Sequence, residues 1–257
     1  MEPNLQNIPI RTDEGREIRR AFVAGDGNVL LDADYSQIEL RVLAHLSGDE
    51  AMCDAFLRNQ DIHTRTAAEI HGVSMDEVTP EMRRAAKATN FGIVYGISGF
   101  GLARNAGISR PEANRFIERY FERYPGVRAF MDECVRLGYE RGYAETMFHR
   151  RRELFELGSS NRNVRSFGER AAMNTPVQGT AADIIKLAMV QVERRLEAEG
   201  LKARLILQVH DELVVECPIE EAPRASALLQ EVMEHIVTLR VPLIAEVSQG
   251  KDWEAAH

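Results

Sequence analysis

Four side chains recur at every fourth position of the stretch MRRAAKATNFGIVYG at 82–96: Arg83, Lys87, Phe91 and Tyr95. At about 100° per residue in an α-helix they keep to one face, drifting by about 40° per step. That face carries two cations and then two aromatic rings. Cations suit a polyphosphate, whose oxygens accept charge-assisted hydrogen bonds, and rings offer flat faces to stacked bases. Ala85, Ala86, Ala88 and Ile93 form the opposite face and are suited to burial. A plain amphipathic surface helix with a solvated Arg/Lys stripe fits the same spacing equally well. The helix has its own start signal: Thr79 as N-cap, Pro80 at the first helical position and Glu81 beside it.

A second source of chemistry is carboxylate. NVLLDAD at 28–34 is an apolar run rising into acid residues, and it predicts a buried strand with Asp34 at its C-terminal end. A strand fixes the direction of such a carboxylate, which suits it to hold a divalent cation; an ordinary turn residue is the alternative. Spacing at Ile38, Leu40, Val42, Leu43 and Leu46 then predicts a helix over 36–46. Much later, ARLILQVHDELVVEC at 203–217 places His210, Asp211 and Glu212 between two β-rich arms, a strand-turn-strand pattern. Bringing Asp211 to Asp34 is a tertiary expectation.

The pattern RRxxKxxxFGxxYG, filled by Arg83, Arg84, Lys87, Phe91, Gly92, Tyr95 and Gly96, resembles the nucleotide-binding helix of the bacterial DNA polymerase I family, the family A polymerases. DYSQIELR at 34–41 and QVHDE at 208–212 resemble two further signatures of that family, in its order, and NLQNIPIR at 4–11 extends the likeness towards the start. The resemblance implies an α+β fold, with an antiparallel palm sheet packed with helices and an all-helical fingers subdomain. It implies template-directed addition of dNTPs to a primer 3′-OH, with two Mg²⁺ ions, replaceable by Mn²⁺. Asp34 and Asp211, the backbone carbonyl of Tyr35 and an auxiliary Glu212 are the implied metal ligands. Arg83, Lys87, Phe91, Tyr95, His63, Glu39 and Gln37 would meet the dNTP, with Lys87 also a proton donor to pyrophosphate and Glu39 crowding a ribose 2′-OH. Arg170, Asn174, Gln178, Gln208, His210 and Asn7 would meet primer-template DNA. Asn and Gln donate to minor-groove acceptors that all base pairs share, which checks geometry without reading sequence.

The bulk properties bound these readings. The 257 residues, 44% apolar and 28% charged, are ordinary for a globular protein and ample for a core. No apolar run approaches a membrane span, so no membrane partner is expected; a cytoplasmic, nucleoid-associated monomer is. Three separated cysteines predict reduced thiols and give no metal-ligand spacing. A formal net charge of −8 argues against a nucleic-acid partner if spread evenly, yet 149–170 holds six arginines against three glutamates, a local +3. Either a phosphate-contacting strip or a solvated charge run accounts for it.

Between the motifs the pattern predicts an extended loop over 4–20, a short strand over 20–23 and a glycine-punctuated turn at 98–101. Helices are expected over 109–124, 127–142, 165–186, 183–200 and 220–237, and a final strand over 241–247. Arg152 is followed by ELFELGSSN, where the family has an aromatic-Leu-Pro-Asp pattern, so the loop at 152–163 departs from it. The expected division is palm over 1–48, mainly fingers over 49–163 including the helix 80–96, and palm again over 164–257. The resemblance also implies thumb and exonuclease portions upstream in longer relatives, hence weakly processive synthesis by this chain. A catalytically idle DNA- or dNTP-binding fragment is the alternative function. A metal nuclease using the same aspartates is another, although it leaves the cation-aromatic helix without a role.

Overall fold

A computed structural model describes residues 4–9 and 12–257, so Ile10 and Arg11 at the end of NLQNIPIR lie outside the described residues. In chain order the elements are α1 (Asp13–Arg20), β1 (Asn28–Tyr35), α2 (Ile38–Ser47), α3 (Glu50–Leu57), α4 (Ile62–His71) and α5 (Pro80–Val94). Then come α6 (Gly99–Ala106), α7 (Arg110–Arg123), α8 (Pro125–Arg141), β2 (Tyr143–Glu145), β3 (Arg151–Glu153) and α9 (Arg162–Ala198). The chain closes with β4 (Arg204–Val209), β5 (Glu212–Pro218), α10 (Ala222–His235), β6 (Ala245–Gly250) and α11 (Trp253–Ala256). Among the described residues no helix is long and apolar enough to cross a membrane.

The chain forms two compact units. One comprises Met1–Ile38, Ala182–Thr238 and Leu243–His257, the other Glu39–Ala181 and Leu239–Pro242. The units divide within α9 at 181/182.

The first unit is built on an antiparallel sheet in the order β4-β5-β1-β6. Side chains alternate across a strand, so β1 has two different faces. Leu31, Ala33 and Tyr35 turn towards α10, where the Tyr35 hydroxyl donates to the Met233 carbonyl at 2.6 Å. Leu30, Asp32 and Asp34 share the other face, where Leu30 packs with Val209, Val214, Trp253 and Ala256. Two covered faces explain why β1 reads as a nearly unbroken apolar run.

The second unit is helical apart from the β2–β3 hairpin. Caps written in the sequence set its helix starts: Asp49, Asp61, Thr79, Ser98 and Ser109 each accept from a backbone N–H of the first turn that follows. Leu40, Leu43, Met52, Ile62, Leu102 and Tyr120 are among its fully buried side chains.

Five expectations are corrected. Residues 13–20 are helical rather than extended, with Thr12 as N-cap, acids in the first turn and arginines in the last. Val23 makes an isolated bridge to Asp252 instead of a strand. The glycines at 99 and 101 open α6 rather than a turn, because a Cβ at Gly99 would strike Asn114 and one at Gly101 would press on Ile97. The two helices expected over 165–186 and 183–200 are one, α9, with Pro176 inside it. The last strand also begins later than expected, at Ala245, where Tyr35 at the end of β1 is available to pair with it.

Candidate active site

β1 delivers Asp34 to its C-terminal end, and the β1–β5 register sets Asp34 directly opposite Glu212. Val209 pairs with Glu212, so His210 and Asp211 form the tight turn between β4 and β5, with His210 in the left-handed region at φ 48°. The Tyr35 N–H donates to the Asp211 carbonyl at 3.2 Å, tying that turn to the end of β1. Two aspartates distant in sequence thereby become neighbours. Burial, then the charges of Asp211, Glu212 and Asp32, pushes the Asp34 carboxyl up to about 7. Burial also raises Asp211. A crowded pair of hard oxygen donors, whose charged forms burial and mutual repulsion oppose, fits a divalent cation that would offset that charge.

Sequence reasoning missed the cluster beside this pair. Asp32 shares the face of Asp34 and is 3% exposed. The His257 Nδ1 lies 3.1 Å from Asp32 Oδ2 and 3.2 Å from Glu212 Oε2. Hydrogen bonds to these carboxylates raise the His257 imidazole to about 10. The ligand atoms of these three side chains all lie within 4.8 Å of one another, close enough to hold a metal ion. Arg19 Nη1 approaches Glu212 Oε1 at 3.8 Å while its guanidinium stacks over the Trp253 ring at 4.0 Å. Only the spacing of the two aspartates in DAD hints at this group; Arg19 and His257 reach it through α1 and α11, which no local pattern announces.

Nearby, Gln208 donates to the His210 carbonyl at 2.7 Å, and Gln6 Nε2 reaches the Gln208 carbonyl at 3.4 Å. Asn7 is exposed in the same short 3-10 turn as Gln6. Gln37 has φ 55°, in the bend before α2.

In the second unit α5 presents the cation-aromatic face. Arg83 and Lys87 are exposed and, with Arg84 and Thr79, line a cleft of about 350 Å³. Arg83 Nε is held by Asp61 Oδ2 at 2.7 Å. Lys87 Nζ stands 6.0 Å from the Phe91 ring, and that ring packs at 5.7 Å against His63. Ala86 and Ile93 are buried behind them. His63 projects from α4, buried, with Nδ1 at 2.9 Å from Asn90 Nδ2. Burial, then the cations Arg83 and Lys87, brings its pKa down to about 4 against the opposing pull of Asp61.

Tyr95 caps the end of α5, and its hydroxyl donates to Glu39 Oε2 at 3.0 Å. Gly96 follows at φ 64°, where a Cβ would press on Met173 and Arg170, so only glycine lets α5 close onto α9 there. Arg170, Asn174 and Gln178 lie partly exposed along α9. Parts of the arginine strip are committed within the unit: Arg150 donates to the Gly179 carbonyl, Arg151 pairs with Glu145, and Arg165 donates to the Ser159 carbonyl.

The sequence matches the profile of DNA polymerase family A over residues 1–255. The chain belongs to DNA polymerase family A. DNA polymerase I of Bacillus caldotenax is 60% identical over 253 residues, covering 98% of this chain and 29% of the relative. That of Bacillus subtilis is 56% identical over 253 residues, with the same coverage. This family A chain therefore spans under a third of the length of these relatives. The polymerase domain of Pol1 from M. smegmatis, solved in complex with DNA primer-template and dNTP, superposes with a TM-score of 0.95 at 49% identity. That likeness covers 100% of this chain and 45% of the solved one.

Proposed function

We propose that this family A chain is a template-directed DNA polymerase module that adds dNTPs to a primer 3′-OH. The carrying observation is the juxtaposition of Asp34 and Asp211 by the β1–β5 register and the bond from Tyr35 N–H to the Asp211 carbonyl. In this reading the first unit takes the part of the palm and the second that of the fingers.

The Asp34 and Asp211 carboxylates and the Tyr35 carbonyl would hold two Mg²⁺, or Mn²⁺ in their place, with Glu212 auxiliary. Bound there, the ions would supply Lewis-acid chemistry, favouring the ionised primer hydroxyl and offsetting negative charge at the α-phosphate. Arg83, Lys87 and His63 bind the triphosphate oxygens, and Lys87 gives a proton to the departing pyrophosphate. Phe91 and Tyr95 form one wall for the new base pair. Glu39, fixed by the Tyr95 hydroxyl, crowds the ribose 2′ position, and Gln37 borders the same nucleotide. Arg170, Asn174, Gln178, Gln208, His210 and Asn7 hold primer-template DNA by its backbone and minor groove.

Single-nucleotide insertion on four templates differing in one base tests this. The complementary dNTP alone is expected to be added each time, with one pyrophosphate released. Nucleotide release from DNA in the absence of dNTP would instead support a nuclease, and insertion indifferent to the template base would refute templating.

A further inference from the structure

Behind the nucleotide-facing helix lies a chain of buried polar groups that the reaction itself does not use. It begins at Glu69, whose carboxylate, although burial opposes its charge, is held below its ordinary range by Arg123 and Arg65. The Tyr124 hydroxyl lies 3.2 Å from Glu69 Oε2, Thr66 Oγ1 lies 3.2 Å from the Tyr124 hydroxyl, and Asn90 Nδ2 lies 3.3 Å from Thr66 Oγ1. The same Asn90 nitrogen is 2.9 Å from His63 Nδ1. Tyr124, Thr66 and Asn90 are at most 1% exposed and His63 is 2% exposed, while the Glu69 side chain at the far end is 21% exposed.

The direction of every bond follows from its end. An ionised carboxylate only accepts, so the single Tyr124 proton goes to Glu69. The Tyr124 oxygen then has only lone pairs for Thr66, and the Thr66 proton must point at it. Thr66 in turn accepts from Asn90, which requires the amide NH₂ rather than the carbonyl on that side. This fixes an amide orientation that heavy-atom positions alone leave open. The second N–H of the same group points at His63 Nδ1, which must accept. A neutral imidazole that accepts at Nδ1 carries its proton at Nε2. The cost is visible at the other end of the amide, where Asn90 Oδ1 is buried without a hydrogen bond.

We infer that Glu69, acting through Tyr124, Thr66 and Asn90, sets His63 as a neutral Nε2–H donor to the incoming triphosphate, with Asn90 the positioning residue. The inference rests on the proposed meeting of His63 with the triphosphate. It makes His63 a directional hydrogen-bond donor, while Arg83 and Lys87 supply the positive charge. The depressed pKa of His63 agrees with this division.

The test is a long-range ¹H–¹⁵N correlation spectrum of the ¹⁵N-histidine-labelled chain at pH 7, with the His63 signals assigned by their loss in His63→Gln. In the chain alone, Nδ1 is expected to show the shift of an unprotonated ring nitrogen and Nε2 that of a protonated one. Asn90→Asp, whose side chain only accepts, should move the proton to Nδ1 or protonate both nitrogens. Tyr124→Phe frees the Thr66 proton to turn, and should give a mixture of tautomers. A parent spectrum with the proton on Nδ1, or averaged between the nitrogens, overturns the relay, whether or not either variant folds. So does a Tyr124→Phe spectrum identical to the parent's. Titration with dATP and Mg²⁺ then separates the two ideas. A shift at Nε2 supports the donor role, whereas a correct tautomer with Nε2 unmoved at saturation refutes the assignment of His63 to the triphosphate and, with it, the donor role.

Discussion

Asp34 stands at the end of a buried strand with Asp32, Asp211 and Glu212 as charged neighbours, and His63 lies buried between Asp61 and the cations Arg83 and Lys87; burial has opposite effects on the two. It raises the carboxyl and lowers the imidazole, in each case against the charged form. For His63 the consequence is a stability term with a definite sign. Its folded pKa of about 4 lies below the model-compound value of 6.5, so between them the unfolded chain binds a proton that the folded chain refuses. Stability present above pH 6.5 is therefore lost as the pH falls towards 4, by on the order of 3 kcal/mol at full titration. Urea midpoints across that range should fall less steeply for His63→Gln than for the parent; parallel curves would locate the acid sensitivity elsewhere. Glu39 carries a different prediction. With its carboxylate held by the Tyr95 hydroxyl and the sugar seated beside it as proposed, Glu39→Ala should raise the kcat/KM of rATP relative to dATP by about 10²-fold, and an unchanged ratio removes Glu39 from sugar selection. Asp34, Asp211 and the α5 stripe were legible in the sequence because each sits in a local pattern: a strand end, a turn between β arms, a fourfold spacing. His257, Arg19 and Asn90 were not, since their partners are distant in the chain and their own surroundings are unremarkable.

At the scale of elements, what was legible followed the strength of the local signal. The caps at Thr79 and Ser109 and the β4–β5 hairpin are where the sequence places them. Three of the failures involve glycine or proline. Gly15 in α1 serves close approach to the Pro9 carbonyl, Gly99 approach to Asn114, and Pro176 is carried inside a helix that continues on both sides. Glycine read as flexibility predicts a turn; glycine used for contact does not. Gly250 at the end of β6 is another such contact, because a Cβ there would fall on the backbone of Ala255 and Ala256 in α11. Gly250→Ala should push α11 off the sheet and destabilise the first unit by about 3 kcal/mol. Trp253 is the single tryptophan and is buried beneath Arg19, so its fluorescence reports the displacement. An unshifted emission maximum and urea midpoint would show that the sheet and helix part without cost.

The molecule as a whole is acidic, at −8, yet the stretch 149–170, which ends at the expected DNA contact Arg170, is locally cationic at +3. Arg150, Arg151 and Arg165 each have a partner within the second unit. Binding carried by about three phosphate contacts should weaken roughly 10- to 100-fold between 50 and 200 mM salt, as read by fluorescence anisotropy of a labelled primer-template; salt-indifferent binding would contradict an electrostatic grip. Synthesis by a chain with so few contacts is expected to be distributive, with short products when a trap DNA is present. The central claim is that Asp34 and Asp211 together make this chain a polymerase. It is tested most directly by primer extension at low salt with Mg²⁺ and four dNTPs, comparing the parent with Asp211→Ala. The account predicts templated extension by the parent and a rate at least about 10³-fold lower in the variant, a loss of roughly 4 kcal/mol of transition-state stabilisation. Equal extension by the two, or none by the parent with primer-template and dNTP saturating, would contradict it.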